Sequence, residues 1–299
     1  MSRRSLRAAG FTLVELVVVI VLTAIVASFM VLFLDAPMQS YFAQTRRSDL
    51  VDSADRITRA VSADVRTALP NSLRINPAGS ALELLATKGV ARYYGQNDKN
   101  GTPPGEELTI GASATSFGTL DSFTAQALPY QAQDYVSVGN LGPPTYDAYN
   151  SADGVMTAVR TITVDPNPST PPYVPQENLV QLGAAFTFKA AGAPATQPSV
   201  HNAYLVSGPV SYVCNPNPGN PAAGTLRRYS GYAVSAAQPV PPGGGTSALI
   251  AHDVAACTIS LVAAPAGYAY GQLAILSVSL ASNGETLQVF LEMPTEYSQ

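Results

Sequence analysis

One carboxylate lies inside a long apolar run near the N-terminus. Between Phe11 and Leu34 the residues are apolar except for three hydroxyl side chains and Glu15. A charged side chain at the centre of a bilayer costs roughly 2.5 to 3.5 kcal/mol on insertion scales, so such an acid needs a compensating partner. The chemistry open to Glu15 is therefore charge pairing with a cation, and we interpret it as a functional residue.

The segment before the apolar run is short and basic, and it ends in small residues. Arg3, Arg4 and Arg7 precede Ala8-Ala9-Gly10. In an ordinary secretory signal the cleavage site follows an apolar region of about 7 to 15 residues, whereas here the small residues come before the apolar run. This order favours an N-terminal leader that ends at Gly10. An uncleaved membrane anchor on a periplasmic domain is the alternative.

The apolar run is long enough to cross a membrane. It extends from Phe11 to Leu34, which corresponds to about 36 Å of helix at roughly 1.5 Å per residue, against a bilayer core of about 30 Å. The leader arginines belong on the cytoplasmic side by the positive-inside rule. We therefore expect a single pass through the inner membrane, with everything after Leu34 in the periplasm.

Cys214 and Cys257 are the only cysteines, and both fall in the part of the chain expected to be exported. Both are flanked by strand-like sequence. In an oxidising compartment a disulfide is the natural interpretation, and it could tie two strands together. Spacing alone leaves open the alternative of two free buried thiols.

Other residue patterns that could support catalysis or metal binding are weak. His201 and His252 are the only histidines, and neither lies in a recognisable metal or nucleophile motif. Gly243-Gly244-Gly245 has no basic or helical signature after it, which indicates a turn rather than a phosphate loop. The segment 97–101 offers oxygen ligands for calcium but lacks the bidentate acid of an EF-hand. We expect no catalytic residues and no cofactor, with calcium at this segment as the alternative.

The charge balance argues against nucleic acid as a partner. The formal net charge is −4, and loss of the three leader arginines would make it more negative by three. Proteins that bind nucleic acid use basic patches or stripes to neutralise phosphates, and none is visible in this sequence.

After the apolar run, a second helical pattern extends over residues 35–70. Pro37 is expected to interrupt the helix near the bilayer exit, because proline removes a backbone donor. Apolar residues then recur at steps of three and four, and acid-before-base pairs such as Asp55 with Arg59 support a solvated helix. Pro70-Asn71 is expected to end it. The apolar positions are Leu50, Ala54, Ile57, Val61, Val65 and Ala68.

From residue 71 to the C-terminus the pattern changes to short strands separated by Gly, Pro and Asn clusters. Asn283-Gly284 between two alternating segments predicts a tight hairpin. The predicted strands are 82–86, 90–94, 156–164, 185–189, 202–207, 210–214, 225–234, 257–262, 273–281 and 285–293, and the predicted loops are 165–175, 215–224 and 238–245. The fold class is therefore α+β: a leader (1–10), a membrane helix (11–34), an amphipathic helix (35–70) and a β-rich head of antiparallel sheets (71–299).

The stretch Gly10-Phe11-Thr12-Leu13-Val14-Glu15 resembles the processing signature of type IV prepilins and type II secretion pseudopilins. The resemblance implies that a prepilin peptidase cuts after Gly10 and that the new amine of Phe11 is methylated. It also implies that Glu15 acts in assembly, paired with the Phe11 amine of a neighbouring subunit, and that sibling pilins are partners through the N-terminal helix.

A second resemblance lies between Asn202 and Tyr232, where two strand-like segments flank a loop rich in Pro and Gly. This region is similar to the hairpin of J-type minor pseudopilins and of minor pilins in mannose-sensitive haemagglutinin (MSHA) pilus systems. The resemblance implies a non-enzymatic minor pilin at or near the tip of a pilus, which helps to prime assembly. The alternatives are a J-type minor pseudopilin of a type II secretion system and a membrane-anchored periplasmic binding domain.

Overall fold

In a computed structural model of the chain, the described residues are 12–95, 106–123, 134–165, 177–189, 201–263 and 270–296. One long helix, α1, runs from Leu13 to Arg66. The chain forms two compact units, residues 1–49 and 50–299, and their boundary falls inside α1. The expected interruption at Pro37 is wrong, because the helix continues through this residue. A proline inside a helix removes one backbone hydrogen bond and its ring crowds the carbonyl four residues earlier, which kinks or breaks many helices, but a helix of this length continues past it.

The last turns of α1 show the predicted amphipathic pattern. Leu50, Ile57, Val61 and Val65 are buried in the head, and their spacing places them on one helix face. On the exposed side, Arg59 Nη2 lies 2.8 Å from Asp55 Oδ2. The helix ends at Arg66 rather than at residue 70, because the backbone of Leu69 bonds to a strand instead: Leu69 N–H donates to Leu85 O at 2.7 Å.

Within the described residues, twelve strands follow the helix in chain order. They are β1 (Arg74–Ile75), β2 (Ala81–Arg92), β3 (Ser113–Thr119), β4 (Tyr135–Val138), β5 (Met156–Val164), β6 (Asn178–Thr187), β7 (Asn202–Asn215), β8 (Thr225–Ser230), β9 (Thr246–His252), β10 (Val254–Ala263), β11 (Tyr270–Ser282) and β12 (Glu285–Glu296). The predicted β-rich head is confirmed, since all pairings between these strands are antiparallel.

The larger sheet is organised around β7. One edge of β7 pairs with β2 along most of its length. The other edge is shared, because residues 203–206 pair with β4 and residues 210–215 pair with β8. Gly208, with φ of 117°, lies between these two partners, in a backbone conformation that glycine adopts without strain. The sheet therefore divides into one limb with β8 and β9 and a second limb with β4, β5, β6 and β3.

The second sheet contains β10, β11 and β12. β11 and β12 form the predicted hairpin, with Ser282 opposite Glu285. Asn283 and Gly284 make up the turn with φ of 47° and 89°, as a two-residue turn of the mirror-image type requires.

The largest core cluster joins α1 to both sheets. It includes Ile57 and Val61 from the helix, Leu84 from β2, and Leu276 and Val289 from the second sheet. A separate aromatic cluster around Tyr93, Phe117 and Phe188 fills the second limb of the large sheet. The apolar face of the helix and the two sheets therefore share one hydrophobic core, and burial of that face stabilises their packing.

Several strand predictions need correction. The predicted segments 82–86 and 90–94 form a single strand, β2, which ends at Arg92, and 202–207 and 210–214 both belong to β7. The strand predicted at 185–189 covers only the end of β6, and β8 stops at Ser230, not at 234. Strands β1, β3, β4 and β9 were not predicted. Apart from Phe117, β3 consists of small residues, including Gly118 and two serines, so its sequence shows little of the apolar alternation that marks a strand.

Candidate processing and assembly site

The helix begins at Leu13, close to the predicted cleavage site after Gly10. Thr12 precedes Leu13, the first helical residue, and its Oγ1 accepts a hydrogen bond from Glu15 N–H at 3.3 Å. This contact satisfies one of the backbone donors that the first helical turn leaves open. Gly10 and Phe11 lie outside the described residues, so their predicted roles in processing and methylation stay predictions.

The first part of α1 presents an uncovered apolar surface. The 18 residues Leu13–Met30 have a mean hydropathy of 2.7, and none is buried. Leu13 is 79% exposed and Phe29 is 67% exposed. A helix that is apolar on all sides needs lipid or other apolar helices around it. Among the described residues, this is the one helix long and apolar enough to cross a membrane.

Glu15 is the charged residue of this span, and its side chain is exposed in the single chain. The hydroxyl groups nearby are satisfied within the helix itself: Thr23 Oγ1 donates to Val19 O at 2.8 Å, and Ser28 Oγ donates to Ala24 O at 2.8 Å. These hydroxyls therefore need no hydrogen-bond partner on a neighbouring helix. The Glu15 carboxylate needs a partner when neighbouring helices or lipid cover it, since burial of an unpaired charge is costly.

The head contains the predicted disulfide between Cys214 on β7 and Cys257 on β10, with their Cα atoms 6.3 Å apart. Because β7 and β10 belong to different sheets, the bond links the two sheets covalently next to their shared core. The sequence predicted a link between strands, and the structure makes it a link between sheets.

We expect the double substitution Cys214→Ser/Cys257→Ser to lower the free energy of unfolding by about 2 to 4 kcal/mol, because the bond restricts the unfolded chain. Urea denaturation of the two proteins measures this difference. Thiol labelling of the native protein without reductant is the matched check, and stoichiometric labelling of both cysteines would contradict the bridge.

Asp64 connects the helix to the larger sheet. Its Oδ2 accepts hydrogen bonds from Arg228 Nε at 2.6 Å and Tyr212 Oη at 2.5 Å, and its Oδ1 accepts one from Arg228 Nη2 at 3.1 Å. The hydrogen bond that Arg228 donates to Asp64 raises the pKa of Arg228, while burial raises the pKa of Tyr212. This two-point contact sets the position of the last helical turns over β7 and β8.

A second ion pair is buried deeper. Glu83 is fully buried, and its two carboxylate oxygens accept from Arg74 Nε at 2.7 Å and from Tyr232 Oη at 2.8 Å. The Arg74 guanidinium also lies 3.5 Å from the centre of the Tyr149 ring. Its remaining nitrogens donate to the carbonyls of Ser235 and Ala236. This cluster fixes the loop after β8 against β1 and β2.

Three carboxyl groups come together in the second limb. Glu106, Asp165 and Glu177 are 9%, 4% and 1% exposed. Burial, a hydrogen bond with Asp165 and the nearby charges of Asp165 and Glu177 raise the pKa of Glu106 from its usual 4.5 to about 7. Tyr94 Oη donates to Glu177 Oε2 at 2.7 Å. A proton on Glu106 relieves the repulsion between these acids.

Glu106 should make the head less stable as the pH rises from about 4.5 to about 7. In this interval the folded state holds a proton on Glu106 that the unfolded state releases, so deprotonation favours unfolding. We expect Glu106→Gln to reduce the loss of stability between pH 5 and pH 8. Urea midpoints of both proteins at the two pH values measure the effect, and equal losses in both would contradict it.

The remaining sequence candidates occupy structural positions. The His201 ring stacks on Tyr93 at 5.1 Å, and His252 Nδ1 lies 2.6 Å from Asp253 Oδ2 on the surface. Within the described residues, no group of three or more metal-ligating side chains is arranged to hold a metal ion. The segment 97–101, considered for calcium, lies outside them. Sequence reasoning missed the clusters around Asp64, Glu83 and Glu106.

Comparison with known proteins identifies a motif at the N-terminus. The family model described as the prokaryotic N-terminal methylation motif matches residues 5–31. This segment contains Gly10, Phe11, Glu15 and the exposed apolar surface, and the match supports a type IV pilin-like class that includes the pseudopilins. The motif implies processing by a prepilin peptidase and pilin-type assembly. No curated protein and no solved structure matches the chain.

Proposed function

We propose that this protein is a minor pilin of an MSHA-like type IV pilus, located at or near the tip, where it helps to prime assembly. The observation that supports this most directly is the methylation motif at residues 5–31 on a helix whose apolar surface is uncovered. Before assembly, lipid of the inner membrane covers that surface. In the filament, the helices of sibling subunits replace the lipid.

The head supports a specialised role. Residues 50–299 form one compact unit, and its described part contains twelve strands. A head of this size would limit dense helical packing along a filament. The pairing of β7 with β8 across the loop 216–224 forms the hairpin for which the sequence resembles the minor pilin MshO. A tip position tolerates a large head because fewer neighbours surround it.

The proposed role is structural. We assign no catalytic residue and no cofactor to the chain, and we place the head in the periplasm before the subunit enters the filament. Its partners are the prepilin peptidase, sibling pilins and the inner membrane, with no nucleic acid.

Processing provides the first test. We expect the mature chain to begin at Phe11 with a methylated amine, because the small residue Gly10 lies directly before the apolar run. Mass spectrometry of the N-terminal peptide from the membrane fraction measures both changes. A chain that keeps Met1 would instead support the membrane-anchored binding domain.

Deletion of the gene distinguishes the two assembly systems. Loss of surface pili with unchanged protein secretion supports the pilus, whereas loss of secretion with normal piliation supports the J-type pseudopilin. Complementation with a chain that carries Gly10→Val, which should block cleavage, is the matched control. The Gly10→Val chain should restore neither pilus formation nor protein secretion.

A further inference from the structure

The three-stranded sheet has one open edge. β12 is hydrogen-bonded to β11, and in the described part of the chain no strand pairs with its other side. The opposite outer strand, β10, is covered by loop backbone: Ile259 N–H donates to Gly79 O at 2.8 Å, and Val254 N–H donates to Gly224 O at 3.4 Å. An open edge of this length is a template for another strand.

The hairpin geometry determines which backbone groups face outward. Ser282 and Glu285 close a two-residue turn, so they form a hydrogen-bonded pair, and the pairing alternates along β12 from there. The N–H and C=O groups of Thr286, Gln288, Phe290 and Glu292 therefore point away from β11. Pro294 is next in this series, and its missing N–H costs no bond to β11.

The same residues place their side chains on the solvent side of the sheet. Thr286, Gln288, Phe290, Glu292 and Pro294 are all exposed. Phe290, in the middle of the series, is 60% exposed. A strand added at this edge would satisfy the outward backbone groups except where the missing N–H of Pro294 leaves one carbonyl without a donor, and it would cover part of this aromatic ring at the same time.

We propose that β12 is a homotypic docking edge, where β12 of a second copy of this chain adds in antiparallel orientation about a twofold axis at Phe290. In this register Phe290 lies opposite Phe290 of the second copy, Gln288 lies opposite Glu292, and Thr286 lies opposite Pro294. The two three-stranded sheets become one six-stranded sheet.

Charge and shape favour this occupant and this register. The edge is self-complementary about Phe290, so a second copy fits it with the aromatic rings opposite each other and each acid opposite an uncharged residue. The formal net charge of −4 opposes association of two copies in any register that brings their acids together. The proposed register pairs each Glu292 with an amide, whereas a twofold axis at Glu292 would place two acids face to face. Aromatic pairs across strands add further stabilisation. The inference goes beyond the proposed function and does not depend on it.

A cysteine at the axis tests the contact in the full chain in detergent micelles. The native cysteines are both in the disulfide, so Phe290→Cys introduces one reactive thiol. Opposed Cα atoms in a hydrogen-bonded pair are about 5.5 Å apart, within the range for a disulfide. We expect mild oxidation with copper phenanthroline to give a reducible species with the mass of two chains.

Thr258→Cys is the matched control. Thr258 is exposed and belongs to the same cross-strand row, because it pairs with Ser277, which pairs with Phe290. In the proposed dimer the two Thr258 positions are separated by five strand spacings, about 24 Å, which no disulfide can bridge. Equal crosslinking of the two variants would show random collision, and absence of crosslinking in Phe290→Cys would overturn the proposal.

Charge at position 288 tests the register without disturbing the fold, because Gln288 is exposed. Gln288→Glu places like charges opposite each other twice, and Gln288→Lys places opposite charges there. We expect sedimentation equilibrium of the otherwise native chain to show dimerisation about 2- to 30-fold weaker for the first substitution and stronger for the second. Equal dimerisation of all three proteins would overturn the register, and a sibling subunit bound at this edge in place of a second copy would overturn the occupant.

Discussion

Glu83→Ala is expected to lower the free energy of unfolding of the head by about 3 to 5 kcal/mol, as removal of one partner from a buried ion pair typically does. Glu83 is fully buried, while the side chain of Arg74 is 17% exposed. Without the carboxylate, the guanidinium keeps the Ser235 and Ala236 carbonyls but has no counter-charge. Tyr232 Oη also loses the Glu83 acceptor and keeps the Ser211 hydroxyl as its partner. Urea denaturation followed by circular dichroism measures the difference.

Glu83→Gln separates charge from hydrogen bonding. Glutamine can still accept from Tyr232 or Arg74 but carries no charge, so we expect a smaller loss than for alanine. The double variant Glu83→Ala/Arg74→Ala should be more stable than the sum of the single losses predicts, because no unpaired charge remains. Additive losses would mean that the two side chains act independently.

The N-terminal region was largely predictable because its signals are local. A long apolar run, basic leader residues and one acid occur within a short stretch of sequence, and the helix start and the uncovered surface agree with them. The Asn283-Gly284 hairpin was predictable for the same reason. The predicted interruption at Pro37 was wrong because the local preference of one proline does not decide whether a long helix continues past a lost hydrogen bond.

The arrangement of the sheets was not predictable because it depends on contacts distant in sequence. β7 pairs with β2, β4 and β8, and nothing local specifies these partners. Alternation along β2 places Glu83 on the face opposite Leu82 and Leu84, so the local pattern alone would put its carboxylate on the solvent side, although the folded head buries it. This pattern did not indicate Arg74, Tyr232 or the role of their network. Glu106, Asp165 and Glu177 likewise meet only in the folded head.

Glu15→Leu is expected to abolish most recruitment into the filament while the head folds normally. Glu15 lies in the first turn of α1, more than thirty residues before the head unit begins at Leu50. The proposed partner of its carboxylate is the free amine of Phe11 on a neighbouring subunit, and charge pairing is strong in surroundings of low dielectric. Leucine removes this directional contact but keeps an apolar membrane helix, so expression, processing and the head disulfide should be unchanged.

Thr12→Ala provides the matched control for this prediction. It removes the hydroxyl that accepts from Glu15 N–H but keeps the carboxylate, so a cap effect alone would reduce recruitment in both variants. We expect a defect in Glu15→Leu and little change in Thr12→Ala when pilus number and pull-down of sibling subunits are measured together. Full recruitment of Glu15→Leu would refute the assembly role. If the head of Glu15→Leu does not fold, Glu15 has a role in folding instead of assembly. Its carboxylate would then stabilise a part of the structure beyond the first turn of α1.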